Sequence, residues 1–323
     1  MYRSIQKAAL GLALACSAAA ALAAGYPERP VRTIVPYAPG GASDVVARVV
    51  TKDMEKSFGQ PFVVDNRPGG GAIIGTGTVA NAAPDGYTIG AMDSAFVINP
   101  ALVPDRIPYD TQKDFAPVIL LAKMPIILAV NPSVKANSLK ELIALAKSKP
   151  GGLNYGSAGN GSPLHLAGEQ FKYAAGIDVV HVPYKGGAPS IAALVAGETQ
   201  MAMTVLSTCQ SYVKSGRLKA LAVTGSTRLP EMPDVPTFAE LGYPSVDSFV
   251  SFGIVAPKGT PDNVVATLND GFNRQLKDAQ VQKQLNELGF QPIGGTAASY
   301  KEFVSAEIAK WIKFTKLANI KVD

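Results

Sequence analysis

The stretch "VPYAPGGASDVVARVV", residues 35–50, closes a β-like run ("RTIVPY") with a glycine loop and opens a helix at about Asp44. Strand, glycine loop and helix start is an arrangement that holds anions. The first N–H groups of a helix have no internal partner and lie at the positive end of its dipole. No G-x-x-x-x-G-K-[ST] is present and no G-x-G-x-x-G follows the strand, so neither nucleotide reading applies and a smaller anion is expected. A second stretch, "NYGSAGNGSPLHLAGEQF" at 154–171, repeats the order strand, Tyr, Gly-rich loop, Ser, helix start, about 120 residues downstream. If each opens its own α/β unit, two lobes face each other across a cleft that closes on a small anion.

Outward from these loops, short apolar runs alternate with helical patterns, which argues for parallel βαβ units. "VRTIVPY", "PFVVDNR", "YTIGAMDS", "LNYGSAG", "DVVHVPY", "TQMAMTV", "LKALAVTG" and "SFGIVAPKG" read as strands, and "APVILLAKMPIILAVNP" as two short strands around Pro125. In the last third, "TPDNVVATLNDGFNRQLKD" reads as a helix capped by Thr260 with Pro261 in first position. A further helix sets Tyr300, Phe303, Val304, Ile308, Trp311 and Ile312 on one apolar face, read as core and not as a ligand platform.

The N-terminus reads as a secretory signal. Arg3 and Lys7 precede 17 mostly alanine residues, and Ala21-Leu22-Ala23 is an A-x-A cleavage site, which makes residues 1–24 the signal peptide. The apolar run is short for a membrane span, and Ala13-Leu14 before Cys16 is in the wrong order for a lipoprotein signal. Loss of Arg3 and Lys7 takes the formal charge from +5 to +3, with Lys and Arg scattered, so no nucleic acid partner is implied. Cleavage leaves Cys209 as the single cysteine, read as a small buried residue.

At the two loops the chain resembles the Bug-type substrate-binding proteins of tripartite tricarboxylate transporters. The resemblance continues through "VDNRPGGGAIIGTGTVANAAPDGYTI", "NPALVPDRIPYDTQKDFAPV", "VPYKGGAPSIAALVAGE", "LKALAVTGSTRLPEMPDVPTFAELGYP" and "GIVAPKGTP". It implies an α/β fold of the type II periplasmic-binding-protein (Venus-flytrap) kind, two α/β lobes joined by crossover strands. Lobe 1 would be 25–124 plus 250–323, and lobe 2 would be 125–249. It implies a periplasmic, monomeric protein without cofactor or metal, which delivers a small organic acid to transporter membrane subunits. The same fold can also serve as a sensor subunit for a two-component kinase.

The resemblance places Tyr37, Gly40, Gly41, Ala42 and Ser43 on a ligand carboxylate, with Ser157, Asn160, Gly161 and Ser162 opposite. His165 either reaches the cleft from one turn into its helix or packs beneath the lobe. Tyr184, Gly186, Gly187 and Ser94 complete the cleft by resemblance. Asp44 is read as a helix-dipole partner, His181 as structural, Lys185 as solvated, and Asn66 and Arg67 as fixing their turn. One departure concerns the ligand. Where the family usually has Asp after "TQMAM" this chain has Thr204, and "LSTC" supplies Ser207 and Thr208 without the usual proline; Thr208 is the candidate hydroxyl. Without that carboxylate a ligand ammonium has less to pair with, which favours a dicarboxylate or aromatic carboxylate over an amino acid.

Enzymatic signatures are thin. Two His and one mature Cys do not make a Cys/His zinc site, H-E-x-x-H and G-x-S-x-G are absent, and Ser211-Tyr212-Val213-Lys214 matches S-x-x-K without companion motifs. A periplasmic hydrolase is the residual enzymatic alternative.

Overall fold

The computed structural model describes residues 25–320; the expected signal segment lies outside them. In chain order the elements are β1 (Val31–Val35), α1 (Ala42–Thr51), α2 (Met54–Phe58), β2 (Phe62–Asn66), α3 (Ile73–Ala80), β3 (Thr88–Asp93) and α4 (Ala95–Leu102). A 3-10 turn, Pro104–Arg106, leads to β4 (Phe115–Val130), α5 (Leu139–Ser148), β5 (Asn154–Ser157), α6 (Pro163–Ala175), β6 (Val180–Pro183), α7 (Gly187–Ala196) and β7 (Met201–Val205). Then come α8 (Leu206–Lys214), β8 (Lys219–Val223), β9 (Phe249–Pro257), α9 (Asp262–Lys277), α10 (Ala279–Glu287), β10 (Gln291–Pro292) and α11 (Ala297–Leu317).

The two loop-bearing strands occupy equivalent places. β1 lies between β2 and β3, parallel to both, and β3 meets β9 antiparallel. β5 lies between β6 and β7, parallel to both, and β7 meets the end of β4 antiparallel. Each unit forms its own lobe, with helices on both faces of its sheet. In the first lobe α1, α2, α9 and α10 bury Val46, Met54, Leu268 and Leu285 on one face, while α4 and α11 bury Phe96 and Trp311 on the other. In the second lobe α5 and α6 cover one face with Leu142 and Phe171, and α7 and α8 cover the other with Leu194 and Cys209.

β4 corrects the expectation of two short strands around Pro125. It is one continuous strand, almost wholly buried, that pairs with β9 from Phe115 to Pro125 and with β7 from Ile126 to Val130. Proline has no N–H to give a ladder. Pro125 is tolerated because it sits where the strand leaves one partner for another. β4 thus crosses between the lobes, and β9 runs antiparallel beside it. The α11 stripe is core as expected: Tyr300, Val304, Ile308 and Trp311 are buried, with Phe303 and Ile312 packed against them. The cap expected at Thr260 moves by one residue. Pro261 is the N-cap of α9, and the Thr260 hydroxyl instead donates to the Pro257 carbonyl.

Candidate functional site

Two sets of three parallel strands, one from each lobe, end at the same place. The loops after β1, β2, β3, β5, β6 and β7 feed α1, α3, α4, α6, α7 and α8, and the first residues of all six helices line one cleft between the lobes, of about 850 Å³. Five of these helices, α1, α3, α4, α7 and α8, have no side-chain cap. Away from the cleft, α5, α10 and α11 are capped by Ser138, Asp278 and Thr296, while α2 and α9 are not. At α3 and α4 the first N–H groups are taken by the Gly70 and Gly69 carbonyls and by Asp93; at α1, α7 and α8 the first N–H donors and positive dipole ends face whatever enters.

The first loop is held from behind. Asp44, buried in the first turn of α1, accepts from Gly40 N–H and Arg48 Nε with Oδ2 (2.9 Å each) and from Asn66 Nδ2 with Oδ1 (2.9 Å). Burial by itself raises this carboxyl, but the Arg48 guanidinium, the Gly40 N–H and the Asn66 amide outweigh it and hold it at about 2. Asn66 also donates to the Tyr37 carbonyl at 2.9 Å. Asp44 and Asn66 therefore shape the loop, and Tyr37, Gly40, Gly41, Ala42 and Ser43 line the cleft.

Across the cleft, Asn160, Gly161 and Ser162 line the second loop, and Gly186, Gly187 and Thr208 the next two helix starts. The Ser162 hydroxyl accepts from His165 N–H at 3.2 Å and donates to the Gly159 carbonyl at 2.7 Å, so it caps α6 while facing the cavity. Gly161 has φ +74°, and a Cβ there would come within 3.1 Å of Leu102 on the opposite lobe. Only glycine fits this backbone and this approach without strain.

Four expected ligand residues stand elsewhere. Ser157 is fully buried; its hydroxyl is 2.7 Å from His181 Nε2 and accepts the Gly159 N–H at 3.1 Å. His165 is buried, accepts the Gly161 N–H on Nδ1 at 3.2 Å, and stacks on His181 with ring centres 4.0 Å apart. Both brace the loop from beneath, because its backbone donors need acceptors there. Ser94 is buried against β9, where its hydroxyl accepts the Ser251 N–H at 2.7 Å. Tyr184 gives its N–H to the Ser157 carbonyl at 3.2 Å, and its side chain lies outside the lining. The cleft adds residues that the sequence reading passed over: Asp93 at the carboxyl end of β3, Asn99 on α4, Arg106 in the 3-10 turn, and Gly70 and Gly71 before α3. Leu102, Val103, Met124, Leu164, Val250 and Phe252 give it a largely apolar wall.

A sequence profile described as "Tripartite tricarboxylate transporter family receptor" matches residues 46–320. The chain belongs to this family. Among its relatives, the receptor is 36% identical to Protein BugT of Bordetella pertussis over 313 residues, 96% of either chain. Its fold matches that of the R. palustris protein Rpa4515, solved with adipate, at TM-score 0.83 and 35% identity over 92% of this chain and 99% of that one. MatC of Rhodopseudomonas palustris, solved with bound malate, matches at TM-score 0.78 and 33% identity over 90% and 99%. In this receptor Thr204, at the position expected to carry the family Asp, is buried outside the lining, and its hydroxyl has no hydrogen-bond partner among the described residues. The Ser157–His181 pair is similarly closed off. Burial, with His165 beside it, lowers the His181 imidazole to about 3, and Ser157 is out of reach of anything in the cleft.

Proposed function

We propose that this receptor is an extracytoplasmic solute-binding protein that captures a small organic carboxylate between its lobes and delivers it to membrane subunits of a tripartite tricarboxylate-type transporter. One observation carries the reading: the uncapped N-termini of α1, α7 and α8, from both lobes, converge on a single cleft. Carboxylates are bound in the related adipate and malate complexes, which supports the same ligand class here. Tyr37, Gly40, Gly41, Ala42, Ser43, Asn160, Gly161, Ser162, Gly186, Gly187 and Thr208 are the contacts assigned to it, with Arg106 added as the one basic side chain in the lining. That guanidinium and the apolar wall favour a dicarboxylate or an aromatic carboxylate. An amino acid is disfavoured because the position expected to carry the family Asp is Thr204, which lies buried outside the lining and offers no carboxylate to a ligand ammonium.

The lobes are assigned as 25–124 with 250–323, and 125–249, a division supported by the change of partner in β4 between Pro125 and Ile126. The protein acts as an exported monomer whose first 24 residues are removed, and it binds its ligand without turning it over. Thermal unfolding of the mature protein against carboxylates, amino acids and sugars tests the function. A ligand at 100 times its Kd adds about 2.7 kcal/mol, enough for a clear rise in Tm. A rise confined to carboxylates is expected; no rise with any carboxylate overturns the reading.

A further inference from the structure

Asp93 is the one acidic side chain in the cleft lining. Its carboxyl is held in place: Oδ1 accepts the Tyr37 hydroxyl at 2.9 Å and the Ala95 N–H at 3.0 Å, while Oδ2 accepts no hydrogen bond from the described residues. No described Lys or Arg forms an ion pair with it. The groups that face it are Tyr37 from the first loop, with Tyr109 behind it, and Tyr300 from α11. Arg106, from the 3-10 turn, lines the same cavity and is exposed. An acid therefore stands, without a cationic partner, in a cavity whose helix starts attract anions.

A carboxylate ligand brings a second negative charge beside Asp93. Two like charges about 8 Å apart, at an effective dielectric near 20, repel strongly enough to weaken binding by about tenfold or more. One proton removes that repulsion. We propose that Asp93 takes up a proton when the cleft binds its carboxylate, so that anion and proton are captured together, and that Asp93 thereby selects ligands without a cationic group at Oδ2. This rests on the carboxylate reading of the cleft. The acid is already poised for it: burial outweighs the hydrogen bonds from Tyr37 and the backbone and lifts the Asp93 carboxyl to about 6. An anion close by lifts it further, through neutrality.

The sign follows. Affinity is highest where Asp93 is protonated in the free protein and falls as pH rises through its range, levelling off once the complex also loses the proton. A ligand that places an ammonium on Oδ2 needs Asp93 ionised, and its affinity rises with pH instead.

The test is titration calorimetry of the mature protein with whichever of succinate, adipate, malate and benzoate raises the Tm most. Titrations run from about pH 6 to 8.5 in buffers of different ionisation heat, with the dicarboxylates' own second ionisation subtracted at the acid end. For the wild type, affinity falls about tenfold across this range with net proton uptake near neutrality. For Asp93→Asn, which keeps an acceptor for Tyr37, affinity is pH-independent and proton uptake vanishes. For Tyr37→Phe, which removes a donor to the ionised acid, the midpoint moves up. Carboxylate binding by the wild type without proton uptake, affinity that rises with pH, or uptake retained in Asp93→Asn overturns the proposal and leaves the cleft a carboxylate site. Absence of binding by all four acids, with folding intact, overturns both.

Discussion

Ser157, His165 and His181 show how a residue can serve an anion site without touching the ligand. His165 Nδ1 accepts the Gly161 N–H only as neutral imidazole, and His181 stacks on it. Burial lowers both imidazoles, His181 to about 3. Unfolded histidine titrates near 6.5, so below that pH the unfolded chain holds more protons than the folded one. Their stabilising contribution is complete above about pH 6.5 and is lost as pH falls toward 3. Asp93, lifted to about 6, acts with the opposite sign between about 6 and its unfolded value near 3.9. The clean measurement is therefore a difference. In denaturant unfolding, the stability gap between wild type and His181→Gln should narrow steadily from pH 7 to 4.5, with the wild type losing more. A gap that stays constant would mean that the imidazole is not held neutral by the fold. The sequence marks His181 as structural and leaves His165 open, but the bracing roles of Ser157 and His165 were not legible in it, because a Ser or His beside a glycine loop looks the same whether it points into the cavity or under it. Asp93 was more accessible to inference, since it is an acid at the carboxyl end of a parallel strand, where ligands gather. Arg106 offered no signal, because its place depends on a turn that follows α4 by only a few residues.

At the scale of elements, the site is a set of helix starts, and that makes it separable from stability. Ala188 is the second residue of α7 and is exposed to the cleft. A carboxylate there suits the dipole and adds about 0.3–1 kcal/mol to the fold, yet it occupies the ground the ligand needs. Ala188→Asp should therefore keep or slightly raise the Tm and lose carboxylate binding by tenfold or more, read by denaturation and calorimetry on the same sample. Lost stability with unchanged binding would place the anion elsewhere. The helix starts at α1, α6 and α7 were readable, because glycine followed by Ala-Ser, Ser-Pro or Ala-Pro announces a turn into a helix. α4 and α8 were not. "AFVINPAL" holds an internal Pro100, and "LSTCQSYVK" follows Val205 with no capping side chain. β4 was misread because Pro125 breaks a strand by local rules, and only the exchange of β9 for β7 shows why it is tolerated there.

For the whole molecule, closure has to bend β4 and β9, and the ladder shows where it can. The β4–β9 register slips between Pro117 and Ile119 and again between Leu120 and Ala122, and the β4–β8 register slips between Leu128 and Ala129. Each slip interrupts the hydrogen-bond ladder, so bending there breaks little. Behind the strands, α6 and α11 touch through the Tyr173 and Phe314 rings, 6.3 Å apart, and Lys310 on α11 pairs with Asp247 at 2.8 Å. Both contacts are made from one face of α11 and tie the first lobe to the second. Anion capture by helix starts on both lobes should draw the lobes together, because the ligand's differential contacts favour the state in which both sets reach it. Small-angle scattering should show the radius of gyration of the mature protein falling on addition of the carboxylate that raises its Tm, and staying fixed for Ala188→Asp at the same concentration. A radius that does not change in the wild type, at ligand concentrations that saturate binding, would make the β4–β9 pair a rigid strut and the cleft a preformed site.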